Sequence, residues 1–447
     1  MMRKNVHIAL ATLLGLILLA GCVRDSVASD GGERVTQGPV NVSLTLALKA
    51  FGSDGAITKA DFVDVDDSLH YAHEKILKDF GIFLYNASTA FEVDPGTSKY
   101  KFNPALAKLI DTVEPVHTES LEKGAKLRVD FDLDSPYTSL AVLVLGNYHI
   151  SYSSTAGNLQ AAVTALSSEA VSLPAQDALI SNGIPMHGWM VFGSLEGLDE
   201  NATPPQIENR QLKYYKGMST PLTKYGFLDA AELAAYASAT TGRGTVRITD
   251  CVPMRYALSR LQLRYVPDDG AVGADSVEVL SVKLNVHRDQ FLKLPANLLG
   301  GEEVTPFDAV TDVGSFSKDT LNFTEVNVST KSTAWVAYVP EVDSAAVKTA
   351  MAASEIHEPA LKVAVKVTPR YGSAGETVTF TYSGDGVTMD DDANPPVTYE
   401  NPGWTSWLKF RTIYARKDKD NNDIPVGTMY NLVRHYSYEW IATGVDR

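Results

Sequence analysis

Val40-Asn41-Val42-Ser43-Leu44-Thr45-Leu46-Ala47-Leu48-Lys49-Ala50 decides how the rest of the chain is read. The apolar side chains of Val40, Val42, Leu44, Leu46 and Leu48 alternate with Asn41, Ser43, Thr45 and Ala47. That period of two is what a strand buried on one face requires. Lys49 then opens a loop-like run, Lys49-Ala50-Phe51-Gly52-Ser53-Asp54-Gly55, so the strand can be cut off at a basic residue. Removing it from a sandwich would leave an apolar groove edged by unpaired backbone groups, which a strand from another molecule can fill by strand addition.

Upstream lies an export address. Arg3 and Lys4 precede an apolar run from Ile8 to Ala20 that is too short for a membrane span and reads as a secretory signal over residues 1–21. The run ends in Leu19-Ala20-Gly21-Cys22, which resembles the bacterial lipobox, in which the cysteine is lipidated at the new N-terminus. Asp25 to Gly38 is polar and rich in Gly and Ser, as suits a tether between lipid and strand. Residues 22–49 are thus expected to be a propeptide whose last part is the removable strand.

Composition bounds the remainder. A chain of 447 residues is long enough for two or three cores. A net charge of −15 argues against nucleic acid as a partner. Cys22 is the lipid site and Cys251 has no mate, so this exported chain is expected to be stable without a disulfide, with Cys251 serving as a small buried hydrophobe.

Short strand patterns between turn signals dominate the body. Strands are expected at Ile76 to Asn86, Leu127 to Leu133 and Leu140 to Leu145, the last a continuous apolar run of the kind covered on both faces. The spacing of Leu159, Ala162, Val163 and Leu166 is helical. Gly193, Gly197 and the polar, proline-containing stretch Asp199 to Glu208 mark a boundary, giving an N-terminal domain over 50–197 and a C-terminal one over 198–447. Asp229 to Ala239 reads as a helix, and strands resume at Met254 to Val266, Val277 to His287, Ala334 to Val339, Ala360 to Val367 and Thr377 to Tyr382. A last strand is expected from Leu432 to Thr443, ended by Gly444.

Several segments, in order, resemble the Bacteroidales fimbrillin family: Leu19-Ala20-Gly21-Cys22, the first strand with Lys49-Ala50-Phe51-Gly52, Ile82 to Asn86, and Leu140 to Asn147. The second half adds Ile184-Pro185-Met186-His187-Gly188, Pro253 to Leu261 with its two arginines, Leu280 to Val286, and Val433-Arg434-His435-Tyr436. The resemblance implies a mainly β fold of two transthyretin-like β-sandwich domains with a few short helices. It also implies export as an outer-membrane lipoprotein, trimming by a trypsin-like protease, and polymerisation with other fimbrial subunits by strand exchange into a fimbrium at the cell surface. Family shaft subunits are cut after an arginine, whereas Lys49 stands there in this chain. The expected cut is therefore between Lys49 and Ala50, with Arg34 as the alternative. Only three residues follow Gly444, too few for a strand to be donated onward, so a tip position is expected.

Signals for enzyme chemistry are weak. No Gly-x-Ser-x-Gly, phosphate-cradling loop or zinc-spaced Cys/His set is present, so no catalytic residue, metal or cofactor is assigned. Asp64, Asp66, Asp67, His70 and His73 read as a solvated acidic loop with surface histidines rather than a metal site. Asp418, Asp420 and Asn422 imitate a calcium loop, but Asp423 stands where Gly is required and Met429 where the bidentate Glu belongs. Asp390-Asp391-Asp392 is likewise a solvated loop. Trp404 and Trp407 are read as packing residues of the second sandwich, although aromatics there could form a sugar-binding face. The alternative function is thus a non-polymerising surface lipoprotein that binds glycan or another host or bacterial ligand.

Overall fold

The computed structural model describes residues 40–48, 71–93, 100–113, 126–133, 139–148, 157–193, 212–214, 244–265, 276–295, 298–299, 313–329, 332–368, 375–383, 397–401, 404–412, 432–435 and 437–446. All belong to one compact unit, Gly38–Arg447. The first strands are β1 (Val40–Leu48), β2 (Phe80–Asn86), β3 (Phe91–Val93), β4 (Tyr100–Phe102), β5 (Lys108–Val113), β6 (Lys126–Leu133), β7 (Ser139–Gly146) and β8 (Ala170–Ser172). They are followed by β9 (Met186–Gly193), β10 (Leu212–Tyr214), β11 (Gly244–Tyr256), β12 (Ser259–Tyr265), β13 (Ser276–Leu284), β14 (His287–Arg288), β15 (Gln290–Leu292) and β16 (Phe316–Ser317). The last are β17 (Leu321–Asn322), β18 (Thr324–Ser329), β19 (Ser332–Val339), β20 (Ala360–Thr368), β21 (Glu376–Ser383), β22 (Val397–Asn401), β23 (Trp404–Thr412) and β24 (Ser437–Asp446). The fold is mainly β, a β-sandwich with short helices.

A first sheet runs β5-β2-β7-β9-β11-β1-β6, with β10 beside β9. Inside it lies β7, between β2 and β9, where Leu140, Ala141, Val142, Leu143, Val144 and Leu145 are all fully buried, as the unbroken apolar run requires. The helix Leu159–Leu166 is capped by the Asn158 side chain on the Ala161 amide, and buries Leu159, Ala162 and Val163 against this sheet's core. A second sheet runs β18-β19-β12-β24-β23-β22, and a third β17-β13-β20-β21. Leu261, Leu263, Tyr438 and Trp440 of the second sheet share a core with Val282, Leu284, Val363, Val365 and Phe380 of the third. Strand β19 serves both cores: Ala334, Val336 and Tyr338 pack in the first, Ala337 and Val339 in the second.

Three expected strands change their limits, the first two because a side chain takes the backbone and the third because another backbone segment does. The strand expected from Ile76 begins only at Phe80. Before it stands a 3-10 helix, Ala72–Lys75, and the Asn147 carboxamide binds the Lys78 amide (3.0 Å) and the Ile76 carbonyl (2.7 Å) in place of a ladder. The strand expected from Met254 to Val266 is two strands in different sheets. Its break falls where the His435 ring accepts the Tyr256 amide (3.1 Å) and the His435 amide donates to the Leu258 carbonyl (2.9 Å). The last strand starts at Ser437 rather than Leu432, which instead bridges Val342. Gly444 does not end it, because β23 supplies partners as far as Thr405 opposite Asp446. Moreover β11 lies beyond the boundary expected after residue 197, yet it is hydrogen-bonded within the first sheet.

Candidate functional site: the slot held by the first strand

β1 occupies the span expected for it, Val40–Leu48. Leu44, Leu46 and Leu48 lie in the first core with 0%, 1% and 1% of their surface exposed. The strand sits inside the sheet rather than at its edge. On one side β6 runs antiparallel to it, pairing eight consecutive residues from Val40↔Leu133 to Ala47↔Lys126. On the other side β11 runs parallel, pairing Val40 to Ser43 with Gly244 to Arg247 and Thr45 to Leu48 with Cys251 to Met254. Between those stretches β1 advances two residues, from Ser43 to Thr45, while β11 advances four, from Arg247 to Cys251. β11 is therefore bulged opposite Leu44, which keeps Val129 of β6 as its partner.

The ladder makes β1 a keystone. Among the described strands, β6 pairs with β1 alone, and β11 pairs with β9 only from Met254 to Tyr256. Without β1, neither β6 nor Gly244 to Pro253 has a partner among the described strands. The three leucines add about 5–9 kcal/mol of burial at 1.5–3 kcal/mol each. That is comparable with the whole net stability of a domain, about 5–15 kcal/mol. Loss of β1 would thus cost a large share of that stability. The wall beyond is built for close approach: a Cβ on Gly188 of β9 would come 2.4 Å from the Pro253 carbonyl oxygen and 2.7 Å from the Met254 sulfur. No side chain but hydrogen fits there.

Of the other residues singled out from the sequence, Cys22, Arg34, Lys49 and Ala50 lie outside the described residues, as do Asp64, Asp66, Asp67, His70, Asp390 to Asp392, Asp418 to Asp423, Met429 and the helix expected at Asp229 to Ala239. Val40 and Val42 are placed by their backbone in β1, Cys251 in β11, and Trp404 and Trp407 in β23. Among the described residues no group of three or more His, Cys, Asp or Glu could hold a metal ion.

What sequence reading missed is a buried charge network where the two cores meet. Glu74, in the 3-10 helix, is fully buried, and Arg260 of β12 donates to its two carboxylate oxygens at 2.9 and 3.0 Å. The Tyr338 hydroxyl donates to Glu74 Oε1 (2.7 Å) and the Tyr71 amide to Oε2 (2.9 Å). Arg260 Nε reaches the Ser437 hydroxyl of β24 at 2.9 Å, and the Tyr256 hydroxyl donates to the Glu74 carbonyl at 2.9 Å. Each anion and cation here has partners, as buried charge requires. His73, expected at the surface, is buried instead, stacked on Tyr71 and 2.6 Å from the Tyr338 hydroxyl through Nε2. Since that hydroxyl gives its proton to Glu74, Nε2 carries the hydrogen of this contact. Burial lowers the His73 pKa, with Glu74 opposing and Arg260 assisting. Burial, then the Glu74 charge, raises Tyr338 and Tyr256 well above the ordinary tyrosine range. A second buried pair, Arg434 with Glu341 at 2.5 Å, ties β24's lead-in to the end of β19.

No protein-family model and no curated protein matches the chain. Among solved structures it is similar to a candidate cell adhesion protein from Parabacteroides distasonis, with a TM-score of 0.36 and 11% identity over 91% of this chain and 97% of that one. It is similar to the tip fimbrial protein Mfa3 from Porphyromonas gingivalis, solved with a C-terminal truncation, with a TM-score of 0.33 and 11% identity over 89% and 99%. A candidate cell adhesion protein from Bacteroides eggerthii gives 0.34 and 10% over 93% and 98%.

Proposed function

We propose that this chain is an accessory subunit of a surface fimbria with a role in adhesion, assembled by strand exchange. The observation that carries the reading is the position of β1: internal to its sheet, the single bridge between β6 and the greater part of β11 among the described strands, and anchored by three buried leucines. Excision of such a strand leaves a slot whose two walls both present unpaired backbone, so one incoming strand restores both ladders at once. In this reading Cys22 carries the lipid that holds the precursor at the outer membrane, a trypsin-like protease cuts after Lys49, with Arg34 the alternative site, and the body accepts a strand from a sister subunit. In the same reading the body falls into an N-terminal sandwich over 50–197 and a C-terminal one over 198–447, with β11 of the second completing the first sheet. Placement at the tip fits the state of β24, which is paired on both sides, by β12 and β23, and buries Tyr438 and Trp440. In this reading its contacts to particular partners, Arg260 on the Ser437 hydroxyl and the Val433 amide on the Tyr438 hydroxyl, keep it in its own domain.

The decisive experiment is N-terminal sequencing and mass measurement of the protein in isolated filaments. Mature protein beginning at Ala50, with Lys49→Ala retained at full length on the membrane, is the expected result. An intact lipidated N-terminus within assembled filaments would overturn the strand-exchange reading. Immunogold labelling along the shaft rather than at filament ends would overturn the tip position.

A further inference from the structure

Resting on the strand-exchange reading, we infer that the slot selects its incoming strand by direction and by leucine spacing. It takes a strand that runs as β1 does and carries leucine-sized side chains at three alternate positions in its C-terminal half. The partner is therefore an eight- or nine-residue segment of another subunit with this chemistry.

Direction follows from the unequal walls. β6 offers eight unbroken pairs and reads the guest antiparallel, whereas β11 offers two runs of four, parallel, broken by the bulge opposite Leu44. A guest entering the other way would meet β6 in parallel and the bulged wall antiparallel. Parallel and antiparallel ladders place their hydrogen bonds differently, so donors and acceptors on walls set for one polarity do not line up for the other. A bulge likewise has a fixed position and fits only one direction of the guest.

Spacing follows from burial. Leu44, Leu46 and Leu48 occupy closed core positions, and Leu44 stands opposite Val129, itself 4% exposed. A shift of one residue along either wall would turn all three leucines out of the core. Smaller side chains would leave cavities.

The test uses the whole chain, with a site for a sequence-specific protease inserted after Lys49. Cutting leaves β1 and the body together. The nicked protein is unfolded in urea and refolded by dilution with a tenfold excess of one fluorescent peptide, and bound label is read after size exclusion. The same peptides are also incubated with nicked protein that was never unfolded. Three peptides are compared: Val-Asn-Val-Ser-Leu-Thr-Leu-Ala-Leu, its reversed sequence, and the forward sequence with all three leucines replaced by alanine. The reversed peptide keeps the alternation. In the forward direction it puts valine at the Leu46 and Leu48 sites; in the other it meets the wrong ladder polarity. Capture of the forward peptide is expected, with the reversed peptide roughly tenfold or more weaker and the alanine peptide roughly a thousandfold or more weaker. Equal capture of all three would overturn the selection rule and leave strand exchange standing. Capture of none, in either protocol, would overturn strand exchange itself and the rule with it.

Discussion

β1 and β24 are the first and last strands described, and they stand in the same relation to their neighbours. Each is internal to its sheet, parallel to one partner and antiparallel to the other. Their parallel partners, β11 and β12, are consecutive in the chain and are joined through Ala257 and Leu258. Yet the described side chains of β1 are three leucines, while in β24 the Ser437 hydroxyl accepts from Arg260 Nε and the Tyr438 hydroxyl accepts from the Val433 amide (3.0 Å). Leucine burial is non-directional, so any strand with the same spacing can supply it. Hydrogen bonds to particular buried partners cannot be supplied by a stranger. The difference teaches which of two similarly placed strands is the better candidate for exchange: the one whose described side chains hold it by area rather than by addressed contacts.

Breaking the addressed contacts should have the largest effect. Arg260→Met leaves Glu74 as a buried anion without its cation and the Ser437 hydroxyl without Nε. Removing one member of a buried pair costs about 3–5 kcal/mol. Urea unfolding should register that loss, and the double variant Arg260→Met, Glu74→Leu should recover much of it, because no charge is then stranded. A loss below about 1 kcal/mol for the single variant would mean that the pair is hydrated in solution, and β24 would no longer differ from β1 in kind.

Leu46→Ala probes the other side of the comparison. Truncating a buried leucine costs about 2–5 kcal/mol, and here the loss should have a second signature. In a chain nicked after Lys49, the variant β1 segment should dissociate from the body during size exclusion, while the unsubstituted segment is retained. If the variant segment were retained as firmly, the leucines would not be what holds the strand.

The contrast between these strands was only half legible in the sequence. Val40 to Leu48 announces itself, since alternation over nine residues is a local signal, and Leu140 to Leu145 and Leu159 to Leu166 are local signals of the same sort. The charge network is not local. Glu74 and Arg260 lie 186 residues apart, and nothing in the spacing around either residue points to the other. Arg260 between Leu258 and Leu261, inside a segment buried on both faces, was the available hint that a counter-ion existed. The burial of His73 is not legible locally for the same reason. The acidic run upstream makes its segment read as solvated, whereas Tyr71, just before the 3-10 helix, and Tyr338 of β19 pack on its ring and Arg260 of β12 covers Tyr71. Two of the strand limits that moved did so through Asn147 and His435, and the third through the bridge of Leu432 to Val342, each acting on backbone far away in sequence.

The smallest effect expected is a dependence on pH that touches the junction and spares the slot. His73 is buried and its pKa lies below the ordinary value near 6.5, with burial the leading cause. The unfolded chain therefore takes up a proton here at a higher pH than the folded chain does, and folding stability falls as pH drops below about 6.5 toward the lower folded value. Above that window both states are neutral at this residue and the dependence ends. His287, also lowered by burial, acts in the same direction from the second core, so the assignment needs a variant. Glutamine can replace the Nε2 hydrogen bond to Tyr338 without titrating; His73→Gln should flatten part of the loss between pH 7 and 5, leaving the His287 share. Hydrogen exchange would locate the effect: amides of β12 and β24 should lose protection as the pH falls, after correction for intrinsic rates, while those of β1 and β6 change less. The leucines between β6 and β11 carry no proton to gain. Equal loss at both places would mean that the slot and the junction open as one unit, and that β1 cannot be released without loosening β24.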